Sequence, residues 1–391
     1  MSQPSRNPDP NASAGAGGTG GRIPVVVLAG FLGSGKTTLL NHLLHHSGGS
    51  RIGAIVNDFG AIEIDAMAVA GALGDSTVSL GNGCLCCAVD PGELDRYLDR
   101  LTRPEVGIDV VVVEASGLAE PQELVRMLLA SENPRVVYGG LVEVVDAAEF
   151  DDTRARHPEI DRHLALADLV VVNKADRVDD GDRVLGLVRS LVDRAAVVPA
   201  SYGRVDPEFL FDCRPRGERI GQLSFDDLGT SEEDDAHGRH AGHLHAGYDS
   251  LSFVSDLPLD PRRLMRFLDS RPDGLYRIKG YVDFGPHDPR NRYAVHAVGR
   301  FLRFYPEPWP AGRQPRLTQL VLIGSGIDAP VLGEELKACK ENAPHADEHG
   351  MWGVLRYVRG PEEPGHDGPD HQGAAPEEPV LDEPVLEDPM S

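Results

Sequence analysis

The sequence predicts an α/β protein: a phosphate-binding domain with a parallel sheet, then a smaller α+β domain with a mainly antiparallel sheet. Three observations predict it. An apolar run passes through a glycine-rich phosphate loop into helical periodicity between Pro24 and Leu44. From there to about residue 200, short apolar runs alternate with helical patterns, which requires a parallel sheet with helices on both faces. Beyond residue 247, strand patterns follow one another with few helices between them, as in an antiparallel sheet.

Residues 1–22 are mostly Gly, Ser, Asn, Pro and Ala. They cannot bury enough apolar surface to offset ordering entropy, so disorder is expected there. Val25, Val26, Val27 and Leu28 read as a buried strand. Gly30 to Thr37, GFLGSGKT, fits G-x-x-x-x-G-K-[ST] at every fixed position. Gly30, Gly33 and Gly35 let the backbone turn tightly and present N–H groups to an anion, with Ser34 and Thr38 in the same cradle. Lys36 brings a point charge to the outer phosphates from what is expected to be an exposed position, and the Thr37 hydroxyl is placed to ligate Mg²⁺. Leu39, Leu40, Leu43 and Leu44 recur at helical spacing, so the loop opens a helix whose N-terminus faces the phosphates.

A second strand over 51–56 ends in Asn57-Asp58-Phe59-Gly60, with Glu63 and Asp65 beyond. A short strand over 77–80 enters Gly81-Asn82-Gly83-Cys84-Leu85-Cys86-Cys87. A helix runs from Pro91 to about Leu101, and the strand over 109–113 delivers Glu114-Ala115-Ser116-Gly117. Glu120-Pro121 opens another helix, and the strand over 138–145 ends at Asp146. The strand over 169–172 leads into Asn173-Lys174-Ala175-Asp176. A helix over 182–194 and a strand over 196–198 precede Ser201-Tyr202-Gly203. Each motif follows a strand, where open α/β sheets bind ligands. The domain is expected to span 23–224.

Residues 225–246 read as an acidic linker carrying His237, His240, His243 and His245. The second domain, 247–359, has strands expected at 248–254, 275–284, 293–305 and 317–323, and helices at 261–268, capped by Asp260, and 331–340. Residues 360–391 hold ten Asp or Glu and no Lys or Arg, an acidic solvated tail.

The net charge of −24 argues against nucleic acid as a partner. No stretch approaches the roughly 18 consecutive apolar residues of a membrane span. The polar N-terminus lacks the apolar core of a signal peptide, so a cytoplasmic protein is expected. The five cysteines do not form a disulfide framework in that setting, and three of them sit together. Cys213 and Cys339 are isolated and expected to be core or incidental.

The Asp176 carboxylate can accept hydrogen bonds from guanine N1–H and the 2-amino group, donors that adenine lacks. Behind a complete phosphate loop this makes GTP the expected nucleotide. Glu114 after its apolar strand can hold Mg²⁺, with Asp58 a further acidic candidate, and Gly117 lets the backbone approach the γ-phosphate. No glutamine is placed to orient the attacking water, so slow intrinsic hydrolysis is expected. Cys84, Cys86 and Cys87 are soft thiolate ligands suited to Zn²⁺, Co²⁺ or Cu⁺. Three sulfurs this close cannot easily complete a tetrahedron alone. An outside ligand leaves an exchangeable position, which suits transfer. The same cysteines also fit a redox-sensing role in a regulatory GTPase.

Taken together, these residues resemble the CobW family of metal-chaperone GTPases. The resemblance rests on Gly30 to Thr38, Asn57 to Gly60, Gly81 to Cys87, Glu114 to Pro121 and Asn173 to Asp176. It extends more loosely to Arg277–Phe284 and Leu320–Gly324 in the second domain. Asp58 stands where the family more often has a longer glutamate. The resemblance implies a cytoplasmic GTPase that binds a transition metal, foremost Zn²⁺, at the CxCC stretch in its Mg–GTP state and delivers it to a client metalloprotein. It leaves open a cobalt-handling role in cobalamin synthesis.

Overall fold

The runs of Val, Ile and Leu form the first sheet. In chain order the elements are β1 (Ile23–Ala29), α1 (Lys36–His45), β2 (Ile52–Val56), α2 (Pro91–Leu101), β3 (Val110–Glu114), α3 (Pro121–Ala130) and β4 (Val136–Asp146). Then come α4 (Phe150–Arg156), α5 (Ile160–Leu166), β5 (Leu169–Asn173), α6 (Gly181–Leu191), β6 (Ala196–Pro199) and α7 (Pro207–Leu210). The six strands lie in the order β2-β3-β1-β4-β5-β6, every adjacent pair parallel. Val25 to Leu28 and Val110 to Val113 are fully buried, because helices cover both faces and no side of these strands meets water. From β1 the chain passes to the edge strand β2, comes back to β3 beside β1, and then crosses to β4 on the other side of β1. The crevice at that reversal, beyond the C-terminal end of β1, is where such sheets take ligands.

The computed structural model describes residues 21–56, 91–117, 120–212, 248–310, 315–341 and 349–358. Asp58, Cys84, Cys86, Cys87, Cys213, the strand expected over 77–80, the histidine-rich linker and the acidic tail lie outside the described residues. Helices α4 and α5 were not anticipated. Each is seven residues long, too short for its buried Phe150, Ile160 and Leu164 to repeat visibly.

The second sheet comprises β7 (Asp249–Ser255), β8 (Leu275–Val282), β9 (Asn291–Val298), β10 (Phe301–Pro308) and β11 (Thr318–Gly324), in the order β10-β9-β8-β11-β7 and antiparallel throughout. Helix α8 (Pro261–Asp269) follows β7, while α9 (Ala329–Ala338) and the single turn α10 (Trp352–Leu355) follow β11. Asp260 caps α8 as expected, its Oδ1 accepting from Arg263 N at 2.8 Å. The single strand expected over 293–305 is instead a hairpin. Gly299 takes φ 52° and reverses the chain, so that Phe301 pairs with Val298. One glycine in an alternating run gave no visible turn signal.

Leu264, Phe267, Leu332 and Leu336 from α8 and α9 cover one face of this sheet. Tyr276, Val298 and Ile323 join the core of the first domain instead. His296 is fully buried at that seam and its Nε2–H donates to the Tyr138 carbonyl at 2.8 Å. Burial, aided by the Arg277 charge, pulls its imidazole down to about 4, so it is neutral at physiological pH. Cys339 is buried and free, consistent with a core role, and burial pushes its thiol up to about 11. Among the described residues, no helix is long and apolar enough to cross a membrane.

Candidate nucleotide-binding site

The phosphate loop leaves β1 and is held from beneath and from both sides. Gly30 has φ 140°, and a Cβ there would lie 2.2 Å from the Val144 carbonyl oxygen, so only glycine lets the loop rest on β4. Gly35 has φ 103°, and a Cβ there would lie 2.2 Å from Asn173 Nδ2. Gly30 and Gly35 are therefore demanded by the packing of the loop itself.

Four strand ends supply the surrounding polar groups. From β3, Glu114 Oε1 accepts from the Thr37 hydroxyl at 2.6 Å. From β5, Asn173 Nδ2 donates to the Ser34 carbonyl at 2.9 Å, while its Oδ1 accepts from Gly203 N at 2.9 Å after β6. Lys174 Nζ donates to the Gly33 carbonyl at 2.8 Å and to Asp146 Oδ2, at the end of β4, at 2.5 Å. Gly117 backs directly onto the loop, since a Cβ there would lie 2.8 Å from Leu32 N. A hollow of about 300 Å³ opens beside the loop, walled in part by Phe31, Ser34, Asp146, Phe150 and Lys174.

Lys36 differs from the expectation. It is 7% exposed, and its Nζ is folded back to donate to the carbonyls of Gly30 at 2.9 Å and Phe31 at 3.3 Å. An ammonium carries three donors and no acceptor, and here two of them meet loop carbonyls. Asp176 lies on a single 3₁₀ turn, Ala175–Arg177, with its side chain exposed. Tyr202 is 62% exposed at φ 55°, beside the loop position that Gly203 fixes. Thr38 is exposed on the first turn of α1. The Thr37 hydroxyl and Glu114 carboxylate are hard oxygen donors that converge at one strand end, a donor set that fits Mg²⁺. Among the described residues, no group of three or more His, Cys, Asp or Glu could hold a metal ion.

Two acidic residues of the site were not singled out from the sequence. Asp146 ends an apolar strand, as Glu114 does, and that shared position was its signal. Glu143 lies within an apolar run and gave none.

Residues 24–199 match the family described as CobW/HypB/UreG, nucleotide-binding domain, and residues 248–340 match the Cobalamin synthesis protein cobW C-terminal domain. Zinc chaperone CobW of Sinorhizobium sp is 31% identical over 345 residues, covering 78% of this chain and 93% of that protein. Zinc chaperone YjiA of Escherichia coli is 30% identical over 320 residues, covering 77% of this chain and 94% of its own. The crystal structure of Zn(II)-bound YjiA GTPase from E. coli aligns at 21% identity with a TM-score of 0.39, covering 82% of this chain and 99% of that one.

Proposed function

The chain belongs to the CobW/HypB/UreG family of GTPases, and from that premise we propose that it is a GTP-hydrolysing metallochaperone. It binds a transition metal, foremost Zn²⁺, at Cys84, Cys86 and Cys87 in its Mg–GTP state and delivers it to a client metalloprotein in the cytoplasm. The zinc-chaperone names of its relatives support the cargo and the client. The two family matches support the division into a GTPase domain over 23–224 and a second domain over 247–359.

One observation carries the reading. The phosphate loop is bonded at once to the end of β3 through Thr37 and Glu114, and to the end of β5 through Asn173 and Lys174. Loop, switch carboxylate and base-reading segment thus form one connected unit. Within it the backbone N–H groups of Gly33 to Thr38 cradle phosphates, and Lys36 turns outward to meet their charge. Thr37 and Glu114 would hold Mg²⁺, with Asp58 from the neighbouring segment; when bound, the ion neutralises charge on the phosphates. Asp176 accepts from guanine. Gly117 sits against Leu32, so a change at the loop reaches the segment that follows β3. The cysteine stretch lies in sequence between Asp58 and Glu114, so nucleotide state and metal affinity are coupled through one element, and reciprocally. Among the described residues no glutamine is placed to orient water, which favours slow intrinsic turnover.

Cobalt spectroscopy tests this. Titrating Co²⁺ into the Mg–GTP protein should give an intense thiolate charge-transfer band with tetrahedral d–d absorption, bleached by Zn²⁺. The GDP protein should lack both. The triple substitution Cys84→Ser, Cys86→Ser, Cys87→Ser should remove the bands while GTP still binds. A triple variant that keeps nucleotide-dependent tight metal binding would move the site away from this stretch.

A further inference from the structure

Glu143 is fully buried on β4, and neither of its carboxyl oxygens has a hydrogen-bond partner among the described residues. It is in register with Ala29 on β1 and Val170 on β5. Leu141 and Val145 share its face by strand alternation. Nothing in this apolar setting rewards a carboxyl for being there, and a valine would pack at least as well.

Its position is at the floor of the phosphate loop. Ala29, its partner on β1, is followed by Gly30, which rests on the carbonyl of Val144, the residue after Glu143. The Gly30 carbonyl is also where the folded-back Lys36 ammonium is bound. Helices α3 and α5, which pack against β4, carry Glu123, Arg126, Asp161, Arg162 and His163, while β1 and β5 bring no charge beside it. Among the described residues, Lys36 is the charged group that acts on the carboxyl. Burial pushes Glu143 upward, Lys36 draws it back, and the balance stands at about 8.

We propose that Glu143 is a positioning residue for the phosphate-loop lysine: ionised, it holds Lys36 against the floor of the loop, and protonated, it releases Lys36 to the nucleotide phosphates. This rests on the reading of the loop as a nucleotide site. When Lys36 turns to the phosphates, the carboxyl loses that counter-charge and retains its proton more strongly. Nucleotide binding is therefore coupled to uptake of one proton from solvent by Glu143. Affinity for nucleotide falls as pH rises through about 8, because the bound state is the one that favours the proton.

The test is GDP binding to the full chain without Mg²⁺, between pH 6.5 and 8.5, for wild type and Glu143→Gln. The amide keeps the shape and cannot ionise. The ratio of affinities at the two pH values should fall about threefold further in wild type than in Glu143→Gln. Calorimetry of wild type alone, at pH 8 in buffers of different ionisation enthalpy, should show roughly half a proton taken up per GDP bound. An equal fall in both proteins, or no proton uptake by wild type, overturns the proposal. Absence of GDP binding by both proteins at every pH overturns the nucleotide site itself, and this role with it.

Discussion

The strand β4 serves two different regions, one at each end. At its C-terminal end, Asp146 binds Lys174, while Lys174, Glu114 and Asn173 bind a single loop, so the polar groups converge beside one hollow. Toward its N-terminal end, and along the elements beside it, polar groups are spent on tying pieces of the first domain together and on holding the second sheet against it. Asp168 Oδ2 accepts from the Tyr138 hydroxyl at 2.6 Å and from Leu141 N at 2.9 Å. His296 binds the Tyr138 carbonyl, Arg277 Nη1 donates to the Leu210 carbonyl at 3.1 Å, and Ser325 Oγ donates to the Val197 carbonyl at 3.1 Å. Both regions bury charged or titratable groups. What separates them is the partner: the seam pairs distant pieces of chain with each other, whereas several strand ends grip one and the same loop. Burial of polar groups alone is therefore a poor guide to function, and convergence on one backbone loop is a better one.

The comparison is broken most severely at Lys36. Lys36→Ala should lower GTP turnover by about a hundredfold or more, as loss of a phosphate-stabilising charge does. Because Lys36 is buried and binds two carbonyls, alanine also removes packing. Lys36→Met, which keeps most of the stem, separates the two effects: it should match alanine in turnover and exceed it in thermal stability. Normal turnover by either folded variant would remove the loop from the chemistry.

The seam gives a smaller effect of the opposite kind. Gly140 has φ 113°, and a Cβ there would lie 2.7 Å from Val298 Cγ1 and 2.9 Å from the Tyr276 hydroxyl. Gly140→Ala should cost about 1–3 kcal/mol in urea unfolding through strain and overpacking between the sheets. GDP affinity of the folded variant should be little changed. A variant as stable as wild type would mean the sheets separate freely there.

The same contrast explains what could be read from the sequence. Phosphate loop, strand-end glutamate and Asn173-Lys174-Ala175-Asp176 are local patterns, so the parallel sheet and the strand ends that meet at the loop were legible. Tyr138, Asp168, Arg277 and His296 meet only in space, and each alone is an ordinary residue of its strand or loop. His296 is fully buried, and its bond across the seam had no sequence signal. The fold of Lys36 onto Gly30 and Phe31 was illegible for a related reason. The motif specifies a lysine at this position and says nothing of the backbone carbonyls it binds. The Gly299 hairpin was missed because a lone glycine without Asn or Asp is weak evidence for a turn.

The central claim is that the strand ends around Gly30 to Thr38 and Asp176 form one guanine-nucleotide site. Competition between GTP and ATP for the Mg²⁺-loaded wild-type protein tests it most directly, with Asp176→Asn as the companion. The account predicts strong preference for GTP in wild type, because adenine offers the Asp176 carboxylate no donors. It predicts a shift toward xanthosine triphosphate in Asp176→Asn, whose amide can donate to the xanthine oxygen. ATP bound within a few-fold of GTP by wild type, or an Asp176→Asn variant with unaltered base preference, would contradict it.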